Sequence, residues 1–179
     1  MSKKLKLTLI ISPIVIIFLY FFTALYSFHQ FHKGIYYNNK KLIKDYVEWD
    51  EFRENFKNYI NIQLLKETQK SDELKDLGEL GVLLTGLASK LVDTMVDSYL
   101  NPEGLSLLIE KSQKKEEISE PTFLTLIGGF AIMDFNSLSS FYITYENEGQ
   151  EFFIFFNRKG LTWKITQIEF PENLLEDLQ

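Results

Sequence analysis

The stretch SFYITYENEGQEFFIFFNRKGLTWKITQIEF, Ser140–Phe170, decides the fold. It divides into three runs rich in β-branched and aromatic residues, Ser140–Glu146, Glu151–Asn157 and Leu161–Phe170. The joints are Asn147-Glu148-Gly149-Gln150 and Arg158-Lys159-Gly160, each of hairpin length with a glycine for the turn. The spacing predicts consecutive antiparallel strands. The middle run, EFFIFFN, is apolar on both faces and is expected at the centre of a sheet covered on both sides. In the last run the apolar set begins at Leu161, Trp163 and Ile165, then moves to Ile168 and Phe170. A strand keeps one face only while its period stays at two, so this change of parity predicts a bulge or twist near Thr166-Gln167. Upstream, FLTLIGGFAIM is apolar but too short to span a bilayer. It reads as buried, with Gly128-Gly129 as a bend and Phe130–Phe135 as a candidate further strand.

Before this region the apolar period is helical. Residues Leu83–Leu100 form a predicted helix with a wide apolar face of Leu84, Leu87, Ala88, Leu91, Val92, Met95, Val96 and Tyr99. Gly86, Ser89, Lys90, Asp93 and Asp97 make a narrow polar strip. Asn101 caps the next helix, Pro102 takes its first position, Glu103 complements the helix dipole, and Gly104 completes the turn. Further upstream, Asp50 is the expected N-cap of a helix whose stripe is Phe52, Phe56, Ile60 and Leu64, with Trp49 beside its start. Asn38 and Asn39 form a stop-and-start signal, because Asn tolerates a left-handed C-terminal position and also caps a new helix, here Lys40–Val47. Gly78, Gly81 and Gly86 suggest a loop or short helix followed by close backbone packing.

At the N-terminus, LTLIISPIVIIFLYFFTALY, Leu7–Tyr26, carries no charge. Its length, ~30 Å as a helix, matches a bilayer's hydrocarbon core. A cleaved signal peptide would need a shorter apolar region and small residues at the cut, which Ala24 and Ser27 do not offer in the right pairs. The absence of cysteine removes a lipoprotein cut, disulfides and thiolate chemistry. Lys3, Lys4 and Lys6 favour an inside N-terminus, although Lys33, Lys40, Lys41 and Lys44 also fall in the window that counts. The expected organisation is a cytoplasmic tip and anchor over residues 1–27, then an extracytoplasmic α+β domain over 28–179. That domain comprises helices over 28–111, a polar linker over 112–121, an antiparallel sheet of three to four strands over 122–171, and a tail over 172–179. Residues Ser27–Tyr37 are expected to continue the span outward as a stalk.

Charge and side-chain chemistry exclude several functions. The net charge is −6, and all 25 acidic residues lie beyond the first 27 positions, so an outer domain repels phosphates and nucleic acid is not an expected partner. Asp93 and Asp97 lie one helical turn apart but outside any loop that could complete a calcium shell. Two like charges near a helix C-terminus ask for a cation, and Arg53, one of two arginines in the chain, is the expected bridge to one of them. His29 and His32 read as juxtamembrane surface residues. Serine nucleophiles lack a histidine in the folded domain to activate them. No catalytic, cofactor-binding or metal-ligating residue is therefore assigned, and the chain does not read as an enzyme.

Three segments in order carry a family resemblance: KKLIKDYVEWDEFRENFKNYI, LVDTMVDSYLNPEGLSLLI and GLTWKITQIEFP. Together they resemble the uncharacterised bacterial family called domain of unknown function 2939, with the likeness expected over residues 30–171. Glu48 stands where the family pattern has Asp, and Asn101 where it has Thr; both substitutes can perform the same turn or capping role. The resemblance implies a bacterial protein with an N-terminal apolar segment and brings no activity with it; together with the uncharged stretch Leu7–Tyr26 the expectation is a single-pass protein of the cytoplasmic membrane. Two functions fit: an anchored, non-catalytic module that binds a protein or envelope component, or a domain that binds a small apolar ligand. Helices over a curved sheet, as in cystatin-like and nuclear-transport-factor-like folds, can enclose such a ligand.

Overall fold

A computed structural model describes residues 3–71, 76–112, 120–147 and 150–171. Most of the expected linker and all of the tail over 172–179 lie outside the described residues. The chain is α+β, with an N-terminal apolar helix, further helices, and a four-stranded antiparallel sheet at the C-terminus. The helices are α1 (Lys3–Tyr36), α2 (Lys40–Tyr46), α3 (Trp49–Lys70), α4 (Glu79–Tyr99), α5 (Pro102–Ser112) and α6 (Phe123–Gly129). A 3-10 turn at Phe130–Ile132 leads into β1 (Met133–Ser137), followed by β2 (Ser140–Asn147), β3 (Gln150–Lys159) and β4 (Thr162–Glu169), in the spatial order β1-β2-β3-β4.

The change of parity in β4 is a bulge. Phe155 faces Gln167 and Phe156 faces Ile165, which leaves Thr166 as the extra residue. It is buried, and its carbonyl accepts a hydrogen bond from Asn55 Nδ2 at 2.9 Å, so the irregularity fastens α3 to the sheet edge. On one face of the sheet, Phe141, Phe156 and Trp163 have no solvent exposure, and the rings of Phe141 and Phe156 stack with centroids 4.7 Å apart. On the other face Phe153 and Phe155 pack beside Tyr142 and stay half-buried. The expected cover on both faces of EFFIFFN is therefore complete on one face only.

The cover of that face is α1. Tyr20, Ala24, Ser27, Phe28 and Phe31 lie along it, with Ala24 fully buried and Ser27 nearly so. Trp163 donates its backbone N–H to Ser27 Oγ at 3.1 Å and its indole N–H to Thr23 Oγ1 at 3.1 Å. Its ring meets Tyr20 edge-on at 5.5 Å. Phe28 and Phe31 both meet Phe156. The expected stalk is thus a core helix, and the boundary drawn at residues 27/28 falls inside one continuous helix whose packed part starts at Tyr20. His29 and His32, expected on the surface, lie half-buried on this part, with Phe28 stacked on His32.

The turn chemistry follows the sequence closely, with two exceptions. Asn38 is left-handed at φ 48°, while Asn39 caps α2 by accepting from the N–H groups of Lys41 and Leu42. Asn38 also latches α5: Ser106 Oγ donates to its Oδ1 at 2.7 Å, and its Nδ2 donates to the Ser106 carbonyl at 3.2 Å. Asn101 caps α5 through Oδ1 to the Gly104 N–H at 2.8 Å. A Cβ at Gly104 would lie far inside van der Waals contact distance of the Tyr99 carbonyl oxygen, so only glycine lets α4 turn into α5 here. The first exception is Asp50, which lies in the first turn of α3 and not at its cap. Glu48 donates its N–H to Ile165 O at 2.8 Å on the free edge of β4, so it is the last extended residue, and its carbonyl accepts from Phe52. The second is Gly128-Gly129, which is helical. A side chain at Gly129 would meet the ring of Phe28 at 2.8 Å, so the glycine serves close approach of α6 to α1 and not a bend.

Candidate functional site: the α3 and α4 pair

Helices α3 and α4 run antiparallel and meet through polar side chains. Thr68 and Thr85 share a hydroxyl contact at 3.3 Å, and Ser89 Oγ donates to Asn61 Oδ1 at 2.6 Å. Lys57 Nζ lies 2.7 Å from Asp97, and Arg53 donates to the Leu100 carbonyl at 3.4 Å. Contacts earlier in α3 match contacts later in α4, from Thr68 with Thr85 to Arg53 with Leu100. Thr85, Ser89 and Asp97 of α4 thus turn toward α3. Within α4 only Gly81 and Val96 are buried.

The consequence is an apolar surface turned outward. Leu83, Leu87, Leu91, Met95 and Tyr99 recur at intervals of four and form a row that winds slowly around α4, each between 58% and 65% exposed. Leu80, Val82 and Leu84 widen the row at the start of α4, and Leu107 and Leu108 of α5 are exposed beyond its end. A helix of a soluble protein ordinarily turns such a stripe toward its core, and large exposed apolar patches mark contact surfaces.

Two open depressions flank the polar seam. One, of about 350 Å³, has Leu64, Leu65 and Val82 as apolar wall and Asn61, Thr68, Thr85 and Ser89 as polar floor. The other, of about 470 Å³, is lined by Asp50, Arg53, Glu54, Lys57, Asn58, Asn61, Asp93 and Asp97. Arg53, Asp93 and Asp97 therefore share one cleft. The partners of Arg53 are nevertheless the Asp50 carboxylate and the Leu100 carbonyl, and the cation on Asp97 is Lys57. The antiparallel register explains this. Arg53 is level with the end of α4, where unpaired carbonyls carry partial negative charge, while Asp97 lies nearly a turn back and faces Lys57. Arg53 still ties α3 to α4, through a carbonyl. Among the described residues, no group of three His, Asp or Glu side chains is placed to hold a metal ion.

Lys57, Asn61 and Thr68 went unnoticed in the sequence. The signal was available: Arg53, Lys57 and Asn61 repeat at intervals of four, matching the polar strip Ser89, Asp93 and Asp97.

The fold and this surface define an α+β protein with one N-terminal helix long and apolar enough to cross a membrane and an open helical pair beyond it. The chain belongs to the family described as protein of unknown function DUF2939, whose model matches residues 14–108. The match begins inside the apolar helix and ends in α5, so the GLTWKITQIEFP segment of the sheet lies outside it. No curated protein and no solved structure matches the chain.

Proposed function

We propose that this is a single-pass membrane protein of a bacterial cytoplasmic membrane, with its N-terminus inside. Its extracytoplasmic domain binds another protein through the outward row of α4 and does no catalysis. The exposed row at Leu83, Leu87, Leu91, Met95 and Tyr99 carries this reading, because the same helix meets α3 through Thr85, Ser89 and Asp97. Anchors at intervals of four are how a helix docks into an apolar groove of a partner. Retention of the N-terminal helix is supported by packing, since a cut near Ser27 would remove Tyr20, Thr23 and Ala24 from around Trp163.

A photoreactive residue at position 87 of the full-length protein in its native membrane tests the proposal. One discrete protein adduct is expected, abolished by the pair Leu83→Glu and Leu91→Glu and not reproduced from exposed position 134. Equal labelling from both positions would overturn it. The depression between Leu64, Leu65 and Val82 is near the lower size of small-molecule sites, ~300 Å³, and supports a second reading as an apolar-ligand domain. An adduct to a small molecule or lipid alone, from position 87, would favour that reading.

A further inference from the structure

We infer that the β1–β2 and β3–β4 turns sit in the outer interface of the bilayer crossed by α1, with Leu138 and Leu161 inserted among the lipid chains. This rests on the reading of α1 as a retained span. Leu138 and Leu161 are 83% and 81% exposed, more than any other large apolar side chain among the described residues. They occupy two turns at the same end of the sheet, tied together by the Arg158 N–H donating to Ser139 O at 2.8 Å.

Contacts along α1 show which end that is. Tyr20 meets Trp163, Phe21 meets Phe135, and the Arg158 guanidinium lies 4.9 Å from the centre of the Tyr20 ring. Later residues of α1 meet parts of the domain farther from these turns, as Phe28 does with Gly129 ahead of β1. Leu161 precedes Trp163 by two residues, in the turn just ahead of β4.

The length of α1 then sets the depth. Between Lys6 and the first packed residue, Tyr20, lie the apolar residues Leu7–Leu19, roughly 20 Å of helix at ~1.5 Å per residue. The hydrocarbon core is ~30 Å thick, so the next two turns of α1 must also lie within it. Those turns carry the sheet end on one side while Phe22 and Tyr26 remain 45% and 46% exposed on the other. The domain is therefore held against the bilayer, and its nearest turns end in leucine. Tyr26, at the end of these turns, suits the headgroup level, and the long side chains of Arg158 and Lys159 beside Leu161 can reach toward it. Helix α3 leads the other way: Glu51 pairs with Lys159 near the turns, Tyr59 reaches Phe170, and the rest of α3 continues past the sheet with Val82 of α4 beside it.

The chain has no cysteine, which permits single labelling. Full-length Leu138→Cys, Leu161→Cys, Ile14→Cys and Val82→Cys variants, each carrying an environment-sensitive fluorophore, are reconstituted in phosphatidylcholine vesicles with and without brominated acyl chains. The expected result is quenching at positions 14, 138 and 161 and none at 82. Quenching at 14 with none at 138 and 161 would overturn this inference and leave the anchor intact. Absence of quenching at 14 would overturn the anchor and the inference together.

Discussion

A chain that begins at residue 28 is expected not to fold cooperatively. The cut leaves the sheet intact in sequence but removes Tyr20, Phe21, Thr23, Ala24 and Ser27 from the face that holds Trp163 and Phe135. Each large apolar side chain so exposed forfeits ~1.5–3 kcal/mol, and two hydrogen bonds to Trp163 go with them. Domains are stable by only ~5–15 kcal/mol, so the loss of several such contacts is enough to unfold one. A fragment that begins at residue 18 keeps every one of these contacts and is expected to melt as a single transition in mild detergent. Circular dichroism melts of the two fragments make the comparison. A sharp, reversible transition for residues 28–179 would show that the first helix is dispensable to the domain.

Trp163→Ala is expected to cost ~3–5 kcal/mol, the range for removing a large aromatic from a packed core. Trp163 has no exposure and touches Tyr20, Phe135 and Phe141 as well as its two hydrogen-bond acceptors on α1. Trp163→Phe retains a ring and the backbone bond to Ser27 but loses the indole N–H to Thr23, and a loss of ~1 kcal/mol is expected for that hydrogen bond beyond the change in volume. Denaturant titration of the full-length variants gives both values. Equal stability of the alanine variant and the native chain would contradict the packing of α1 on β4.

Much of the fold was legible because local signals are strong where the backbone must do something unusual. The hairpins, the left-handed Asn38, the caps at Asn39 and Asn101, and the parity change at Thr166 each follow from one or two residues. The packed stripe of α1 was hidden for the opposite reason. Tyr20, Ala24, Phe28 and Phe31 have helical spacing, but nearly all their neighbours through Tyr26 are apolar, so no polar face contrasts with them. In a helix this apolar, composition masks periodicity.

The surface of α4 was misleading in another way. The sequence shows a wide apolar face and a narrow polar strip, yet Ser89 and Asp97 of the strip meet α3 while Leu87, Leu91, Met95 and Tyr99 of the face stay exposed. Amphipathicity states that two faces differ; the complementary polar row on α3 decides which is covered. Asp50 was assigned as a cap because its residue type suits the position, and only the pairing of Glu48 with the β4 edge moved the start of α3.

The central claim is that the N-terminal apolar helix is retained and serves at once as membrane span and core helix. Intact mass spectrometry of the protein from carbonate-washed membranes tests it most directly. The prediction is a membrane-retained species whose mass includes the N-terminal apolar residues Leu7–Tyr26. A shorter species, released to the soluble fraction without its N-terminal apolar residues and still folded, would contradict it.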